Sequence, residues 1–305
     1  MDETKDEQRN RAVQELELLQ KQLVTYAKDV SQLYADLKRE NEALAKANRE
    51  LEDSFYAMVL LGFDLITLYD EQLGGHCKRV AFYSNALAEA LELDEEKVAQ
   101  VKLAALLHDI GLLGLPRDAR KRIVMGQEQS QEMLETYRQH PIVALRPLAT
   151  NPRFSGLAEI IAAHHENLDG SGFPRGLEGD QILLESRIIA IADAYDIVRQ
   201  SARQDIEPAV LVGKLMRFAG ARFDEKLLSA FKDVVVRSDP FSAITEAGLN
   251  DLKPGMILAS AITAKNGVKL LSADTVLRDD HIETVRKFAR HTPLNLPVRI
   301  YMPRL

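Results

Sequence analysis

The sequence has one cysteine, Cys77, in 305 residues, so no disulfide can form within the chain. A single thiol favours a reducing compartment. Long apolar runs are also lacking, because the longest, residues 55–69, carries Asp64 and falls short of the roughly 20 residues that span a bilayer. The first residues are acidic and polar, unlike those of a signal peptide. We therefore expect a cytoplasmic protein that does not cross a membrane.

An excess of positive charge is absent as well. The net charge of −7 at pH 7 argues against broad binding to nucleic acids or to anionic membranes. The contents of 46% hydrophobic and 28% charged residues are typical of a globular protein. An anionic substrate would then need a local positive centre, which metal ions can supply.

Proline and glycine are absent before Gly62, and apolar residues recur at alternating spacings of three and four. Such a repeat favours two supercoiled helices, and Glu40 and Ser54 interrupt it. The seam consists of Leu16, Leu19, Leu23, Tyr26, Val30, Leu33, Leu37, Leu44, Ala47, Leu51, Met58, Leu61, Leu65 and Leu68. A long amphipathic helix packed on its own domain is the alternative. Because charged residues leave only a narrow seam, we predict a homodimeric coiled coil, with residues 1–59 as the dimerisation helix.

The remaining pattern predicts a mainly α fold with a small α+β module at its C-terminal end. Residues 60–240 have helical periodicity without strand-like alternation, and glycine and proline make residues 166–180 a predicted loop. The predicted helices are residues 86–93, 95–108, 130–140, 157–165, 183–198 and 225–236. In the module, residues 241–305, the predicted elements are strands at 252–262, 268–277 and 298–301 and a helix at 280–290.

Five of the seven histidines lie between residues 76 and 165. They are His76, His108, His140, His164 and His165. Asp109 follows His108, and Asp193 lies on a later apolar run. Imidazole and carboxylate ligands together suit iron, manganese, zinc or nickel. An aspartate can bridge two ions, and two ions can clamp a phosphodiester and turn a bound water into a nucleophile. These residues predict a metal-dependent hydrolase.

Three further residues with potential ligand atoms are expected to have other roles. Cys77 follows His76, but on a helix the two side chains point about 100° apart, so a buried hydrophobic role is favoured. His281 and His291 have no partners at ligand spacing and are predicted to lie on the surface.

The order and spacing of these residues resemble the HD-GYP domain over about residues 70–236. The matching segments are His76-Cys77-Lys78-Arg79-Val80, Leu107-His108-Asp109-Ile110-Gly111, Gln139-His140-Pro141, residues 164–174 with His164-His165-Glu166 and Gly172-Phe173-Pro174, Ile191-Ala192-Asp193, and residues 220–224. Residues 251–256 resemble a small module that is often attached to such domains. Several motifs in register make the resemblance specific.

The resemblance implies an all-helical HD-superfamily fold with a metal centre that hydrolyses cyclic di-GMP to linear pGpG or to GMP. His108 and Asp109 would be catalytic. One ion would be held by His76, His108, Asp109 and Asp193, and Asp109 would bridge to a second ion held by His140, His164 and His165. The expected cofactors are two divalent transition-metal ions, iron or manganese, with nickel or zinc as alternatives. The expected substrate contacts are Gly170, Gly172, Phe173, Arg175 and Arg203.

The sequence departs from the family at the expected substrate contacts. Leu112 replaces a lysine that contacts phosphate, Phe173 replaces the tyrosine of the family name, and residues 201–205 alter a basic segment, with Arg203 shifted by one place. Gln72 replaces an acidic residue that holds a third ion in some members, so two ions are expected.

Two hypotheses therefore remain open. The first is a phosphodiesterase of reduced or altered specificity. The second is a catalytically degenerate module, acting as a metal-containing cyclic di-GMP effector or as a regulatory dimer. The expected partners are cyclic di-GMP, a second copy of the chain, and a diguanylate cyclase or other signalling protein.

Overall fold

The computed structural model describes residues 3–116, 118–120, 130–149, 154–202, 206–237, 239–241 and 243–302. The chain divides into two compact units, Met1–Leu61 and Gly62–Leu305. Within the described residues, no helix is long and apolar enough to cross a membrane.

The N-terminal residues form the long helix that the periodicity predicts. This helix, α1, spans Glu3–Tyr69. Its seam residues are exposed to solvent in the single chain, as Leu23 with 70% and Leu33 with 68% of their surface accessible show. An apolar stripe of this length is typical of a helix that pairs with another chain.

Helices make up most of the second unit, as predicted. After α1 they are α2 (Glu71–Ala90), α3 (Glu95–Leu107), α4 (Gln131–Arg138), α5 (His140–Ala149), α6 (Ser155–Ala162), α7 (Leu184–Ser201), α8 (Pro208–Leu215) and α9 (Glu225–Arg237). Short 3₁₀ helices lie at Ile110–Gly114, Gly179–Gln181 and Met216–Phe218. Asp70, Asp94 and Ser130 cap α2, α3 and α4, because each side chain accepts a hydrogen bond from a backbone N–H of the first turn.

The core of this unit forms where α2 packs against α3, α7 and α9. Tyr83, Tyr195 and Phe231 are fully buried there and meet edge to face, with the rings of Tyr83 and Tyr195 5.0 Å apart. Both phenols donate to the buried carboxylate of Asp239, at 2.9 and 3.2 Å. The apolar faces of α2 and α7 thus fix the two helices that carry His76 and Asp193.

The C-terminal module differs from its prediction in detail. Its strands are β1 (Ala243–Ala247), β2 (Ile257–Leu258), β3 (Ile262–Thr263), β4 (Lys269–Leu271) and β5 (Val298–Met302), and its helix α10 spans Asp279–Ala289. β5 pairs antiparallel with β1 and with β2, and β3 pairs with β4. The prediction of long strands at 252–262 and 268–277 is wrong. The strands there are shorter, because the chain turns at Gly255 (φ 88°) and bends again at Asp274 (φ 57°).

Candidate metal centre

Five separate segments bring the predicted ligands together. His76 lies on α2, Asp109 follows α3, and His140 begins α5. His164 and His165 follow α6, while Asp193 lies on α7. The potential ligand atoms form two groups, each with its atoms within 4.8 Å of one another. The first group, called site A, contains His76, His108 and Asp193, and the second, site B, contains Asp109, His140, His164 and His165.

The carboxylate of Asp109 lies between the two sites. Its Oδ1 is 3.2 Å from Nε2 of His140 and 4.0 Å from Nε2 of His164, both in site B. Its Oδ2 is 3.6 Å from Nε2 of His76 and 3.6 Å from Nε2 of His108, both in site A. Each carboxylate oxygen therefore faces a different site.

Four imidazole rings are oriented by hydrogen bonds from their outer nitrogen. Nδ1 of His108, His140 and His164 donates to the carbonyl three residues earlier, at 2.7, 2.7 and 2.6 Å. Nδ1 of His76 donates to Oδ2 of Asp196 at 2.8 Å. In His108, His140 and His164, a proton held on Nδ1 directs the lone pair of Nε2 toward the centre, which is how proteins present histidine to a metal.

An unpaired nitrogen at the centre indicates that these residues suit a metal ion. Nε2 of His108 is buried and has no hydrogen-bond partner among the described residues. Leaving a buried nitrogen unpaired costs about 1–3 kcal/mol. Imidazole nitrogens around a shared carboxylate are donors that divalent transition metals prefer, so the residues fit such an ion.

Burial and neighbouring groups lower the pKa values of three site B residues, His164, His165 and Asp109. Burial and the neighbouring His108 and His140 lower the pKa of His164 to about 3. Burial and His164 hold the pKa of His165 well below its usual value. Burial alone would raise the pKa of Asp109, but the surrounding histidines, His108 foremost, hold it well below the usual range. These groups are therefore in the protonation states that bind metal.

His76 in site A differs. Burial alone would lower its pKa, but hydrogen bonds to Asp193 and Asp196 outweigh burial and raise it to about 10. In the metal-free protein the ring therefore carries an extra proton at neutral pH, and a metal ion entering site A must displace it.

The predicted loop after His165 is shaped by a buried carboxylate. Glu166 is 3% exposed and accepts hydrogen bonds from the backbone N–H of Arg175 at 2.7 Å and of Leu177 at 3.0 Å. A Cβ at position 172 would collide with the backbone of residues 165–167, so only glycine fits at Gly172. Gly170 has φ 74°, which glycine adopts without strain.

This fold of the loop places Phe173 beside the centre. Its ring centroid is 4.7 Å from that of His165, at an interplanar angle of 35°. Tyr137, on α4, completes the cluster, because its hydroxyl lies 3.2 Å from Nε2 of His165. Sequence reasoning missed Tyr137, although it precedes His140 by one helical turn.

Four other predicted positions differ in their exposure and contacts. The guanidinium of Arg175 pairs with Glu159 on α6 at 2.8 Å, and Gln72 is exposed. The side chain of Leu112 is 1% exposed, and Cys77 is buried, as predicted. Arg203 lies outside the described residues.

His281 corrects a prediction, whereas His291 is exposed as expected. His281 is half-buried, and its Nδ1 is buried without a hydrogen-bond partner in the described part of the chain. His281 lies on α10, directly before the core residue Ile282.

Comparison with known proteins identifies the family. A model of the HD domain matches residues 61–227, more than half of the chain. The chain therefore belongs to the HD domain family.

The similar proteins are phosphodiesterases by name. The chain is 31% identical over 176 residues to 3'3'-cGAMP-specific phosphodiesterase 3 of Vibrio cholerae, covering 56% of this chain and 36% of that one. It is 34% identical over 150 residues to a cyclic di-GMP phosphodiesterase of Thermotoga maritima, covering 48% of this chain and 40% of that one. It is 29% identical over 178 residues to cyclic di-GMP phosphodiesterase PdeB of Borreliella burgdorferi, covering 58% and 45%. The chain thus spans less than half the length of each of these relatives.

Proposed function

We propose that this protein is a dinuclear-metal phosphodiesterase that hydrolyses cyclic di-GMP to pGpG or GMP. The observation that carries the proposal is the position of Asp109, with one carboxylate oxygen toward site A and the other toward site B. His76, His108 and Asp193 would hold one ion with Asp109, and the three histidines of site B would hold the other. Iron or manganese is the expected metal, with nickel or zinc as alternatives.

When bound, two divalent ions would supply Lewis-acid stabilisation of the phosphodiester and a water of lowered pKa. The chain itself contributes orientation. The Nδ1 hydrogen bonds fix the imidazole rings before any ligand arrives, so little reorganisation is required. His108 and Asp109 are the proposed catalytic pair, because the family resemblance implies that role and Asp109 faces both sites.

The loop is the proposed binding element for the nucleotide. Gly170 and Gly172 are proposed to contact the nucleotide through their backbone groups, because the side of each glycine that lacks a side chain packs against the loop itself. Phe173 lies against His165 and offers an apolar ring to a base. Relatives named for cyclic di-GMP and for 3'3'-cGAMP support a cyclic dinucleotide as the substrate class.

A second candidate function is that of a cyclic di-GMP effector without turnover. It is favoured by the substrate-contact positions, because Leu112 is buried and cannot donate to phosphate, and Phe173 has no hydroxyl. Arg175 pairs with Glu159 on the surface of α6 rather than with a group of the centre. In this case the ions would stabilise a binding surface.

The test is a time course of the purified full chain with cyclic di-GMP or 3'3'-cGAMP, in manganese or ferrous iron, analysed by chromatography. From cyclic di-GMP we expect pGpG or GMP to accumulate with the unaltered chain and with the exposed control His291→Ala. Asp109→Ala should produce neither. Binding of cyclic di-GMP without any product would support the effector instead, and the absence of both binding and turnover would contradict both functions.

A further inference from the structure

A series of buried charged residues connects the C-terminal module to site A. Nη1 of Arg79 donates to Oδ2 of Asp274 at 2.8 Å. Nε and Nη2 of the same guanidinium donate to Oδ1 and Oδ2 of Asp196, at 2.7 and 2.9 Å. Asp196 in turn accepts from Nδ1 of His76 at 2.8 Å. Arg79, Asp196 and Asp274 are all under 9% exposed, so solvent does not screen these contacts.

Asp274 is the last residue of this series, and the module core holds its backbone in place. Its backbone N–H donates to the carbonyl of Leu258 at 2.8 Å, and Leu258 is fully buried in the core of the module. Its φ of 57° lies in the left-handed region, where an aspartate is more strained than glycine. A position that favours glycine therefore carries a carboxylate that reaches into the HD domain.

The sequence of α2 provides the space for this carboxylate. A Cβ at Gly75 would collide with Oδ2 of Asp274, so the glycine next to His76 is required by the contact. A glycine inside a helix costs about 1 kcal/mol relative to alanine, so it needs such a reason. Glu71, at the start of the same helix, accepts from the backbone N–H of Ala273 at 3.1 Å and fixes the neighbouring residue.

We propose that Asp274 is a positioning residue for site A, through which the C-terminal module sets the affinity of the metal ion held by His76. The inference rests on the proposed dinuclear centre. Asp274 accepts a hydrogen bond from Nη1 of Arg79, so Nε and Nη2 of the guanidinium face Asp196 in one orientation. Asp196 then fixes the ring of His76. Residues behind a metal ligand typically change affinity by about 10- to 100-fold when they are replaced.

Site B provides an internal reference for this effect. Nδ1 of His140 and of His164 is held by backbone carbonyls of the HD domain itself, at 2.7 and 2.6 Å. The described contacts of Asp274 do not extend to those rings. A change at Asp274 should therefore affect one ion and leave the other unaltered.

The experiment is equilibrium dialysis of manganese against the full chain and its variants at constant pH. Asp274→Gly and Asp274→Asn both tolerate the left-handed backbone, so neither adds strain at this position. We expect Asp274→Gly to weaken one of two manganese sites about tenfold, and Asp274→Asn to weaken it less. His76→Ala should abolish the same site. The matched control is Asp280→Asn, which removes an exposed carboxylate of the same module that pairs with Arg278.

Unchanged affinity at both sites in the two Asp274 variants would overturn the inference alone. An equal loss at both sites would also overturn it, since Asp274 would then support the whole fold rather than site A. No manganese bound to the unaltered chain would overturn the proposed function, and this inference with it.

Discussion

The candidate metal ligands match the family resemblance, whereas two positions expected to contact the substrate do not. The seven candidate ligands come together in two groups, whereas Leu112 and Phe173 lack the polar atoms that the family resemblance implies at those positions. Leu112 is 1% exposed, on the 3₁₀ helix that directly follows Asp109. Replacing one residue there tests whether the missing donor limits turnover.

Leu112→Lys should raise turnover of cyclic di-GMP while metal content stays constant. An ammonium adds a donor that strengthens as charge develops on the leaving oxygen, so rate should change more than affinity. The variant should also melt at a lower temperature, because burying an ammonium is costly. Leu112→Met, which conserves volume, is the control and should leave turnover unchanged. Unaltered turnover in Leu112→Lys at full metal content would show that this side chain does not reach the substrate.

The histidines of site B predict a pH dependence of stability in the metal-free protein. His164 has a folded pKa of about 3, below its unfolded value, because the ring is buried beside other histidines. The unfolded chain therefore binds more protons, and the free energy of unfolding falls as pH drops from about 6.5 toward 3, by at most about 1.4 kcal/mol per unit from this group. Denaturant unfolding between pH 7 and 4 measures the slope. His164→Gln should flatten it, and the exposed His291→Gln should not. Equal slopes in all three proteins would contradict the assigned burial of a neutral ring.

Secondary-structure elements differ in how readily the sequence predicts them. The long α1 has a periodic apolar seam and α3 has the capping residue Asp94, and both are local signals. Strands β1 and β2 depend on pairing with the distant β5, such as Thr245 with Ile300, and no local pattern encodes that register.

The same distinction applies within the centre. The ligands were predictable because each lies in a motif of fixed spacing. Asp196 follows Asp193 by three residues on one helix, a spacing that places both on one face, so it was open to prediction. The role of Asp274 could not be predicted, because Asp274 is 195 positions from Arg79 and only the folded module brings the two residues together.

The loop after His165 is an element whose shape one side chain determines. Glu166→Gln should loosen it, because an amide offers one acceptor where two backbone N–H groups donate, at a cost of about 1–3 kcal/mol. We expect faster hydrogen exchange in residues 166–178 and a higher KM for cyclic di-GMP, with metal content unchanged. Glu159→Gln, which alters only the exposed pair with Arg175, is the control. Unchanged exchange in the loop would show that the Gly and Pro residues alone define its shape.

At the scale of the whole molecule, the exposed seam of α1 predicts a parallel two-stranded coiled coil. Leu33→Glu places a charge in the seam and should convert a dimer into a monomer or a weaker dimer, as should deletion of residues 1–50. Ala35→Glu adds the same charge on the opposite face of the helix and should leave the dimer intact. Light scattering at micromolar concentration measures the mass. A monomeric unaltered chain would mean that the seam does not pair with a second copy.

The most direct test of the account is the number of metal ions per chain. Seven ligands with one shared carboxylate form two sites, so elemental analysis of the full chain, purified without chelator and reconstituted with manganese or ferrous iron, should give two ions. Asp109→Ala should lose both ions, because its carboxylate serves both sites, whereas His291→Ala should retain them. A stoichiometry near zero after reconstitution, or two ions retained in Asp109→Ala, would contradict the dinuclear centre.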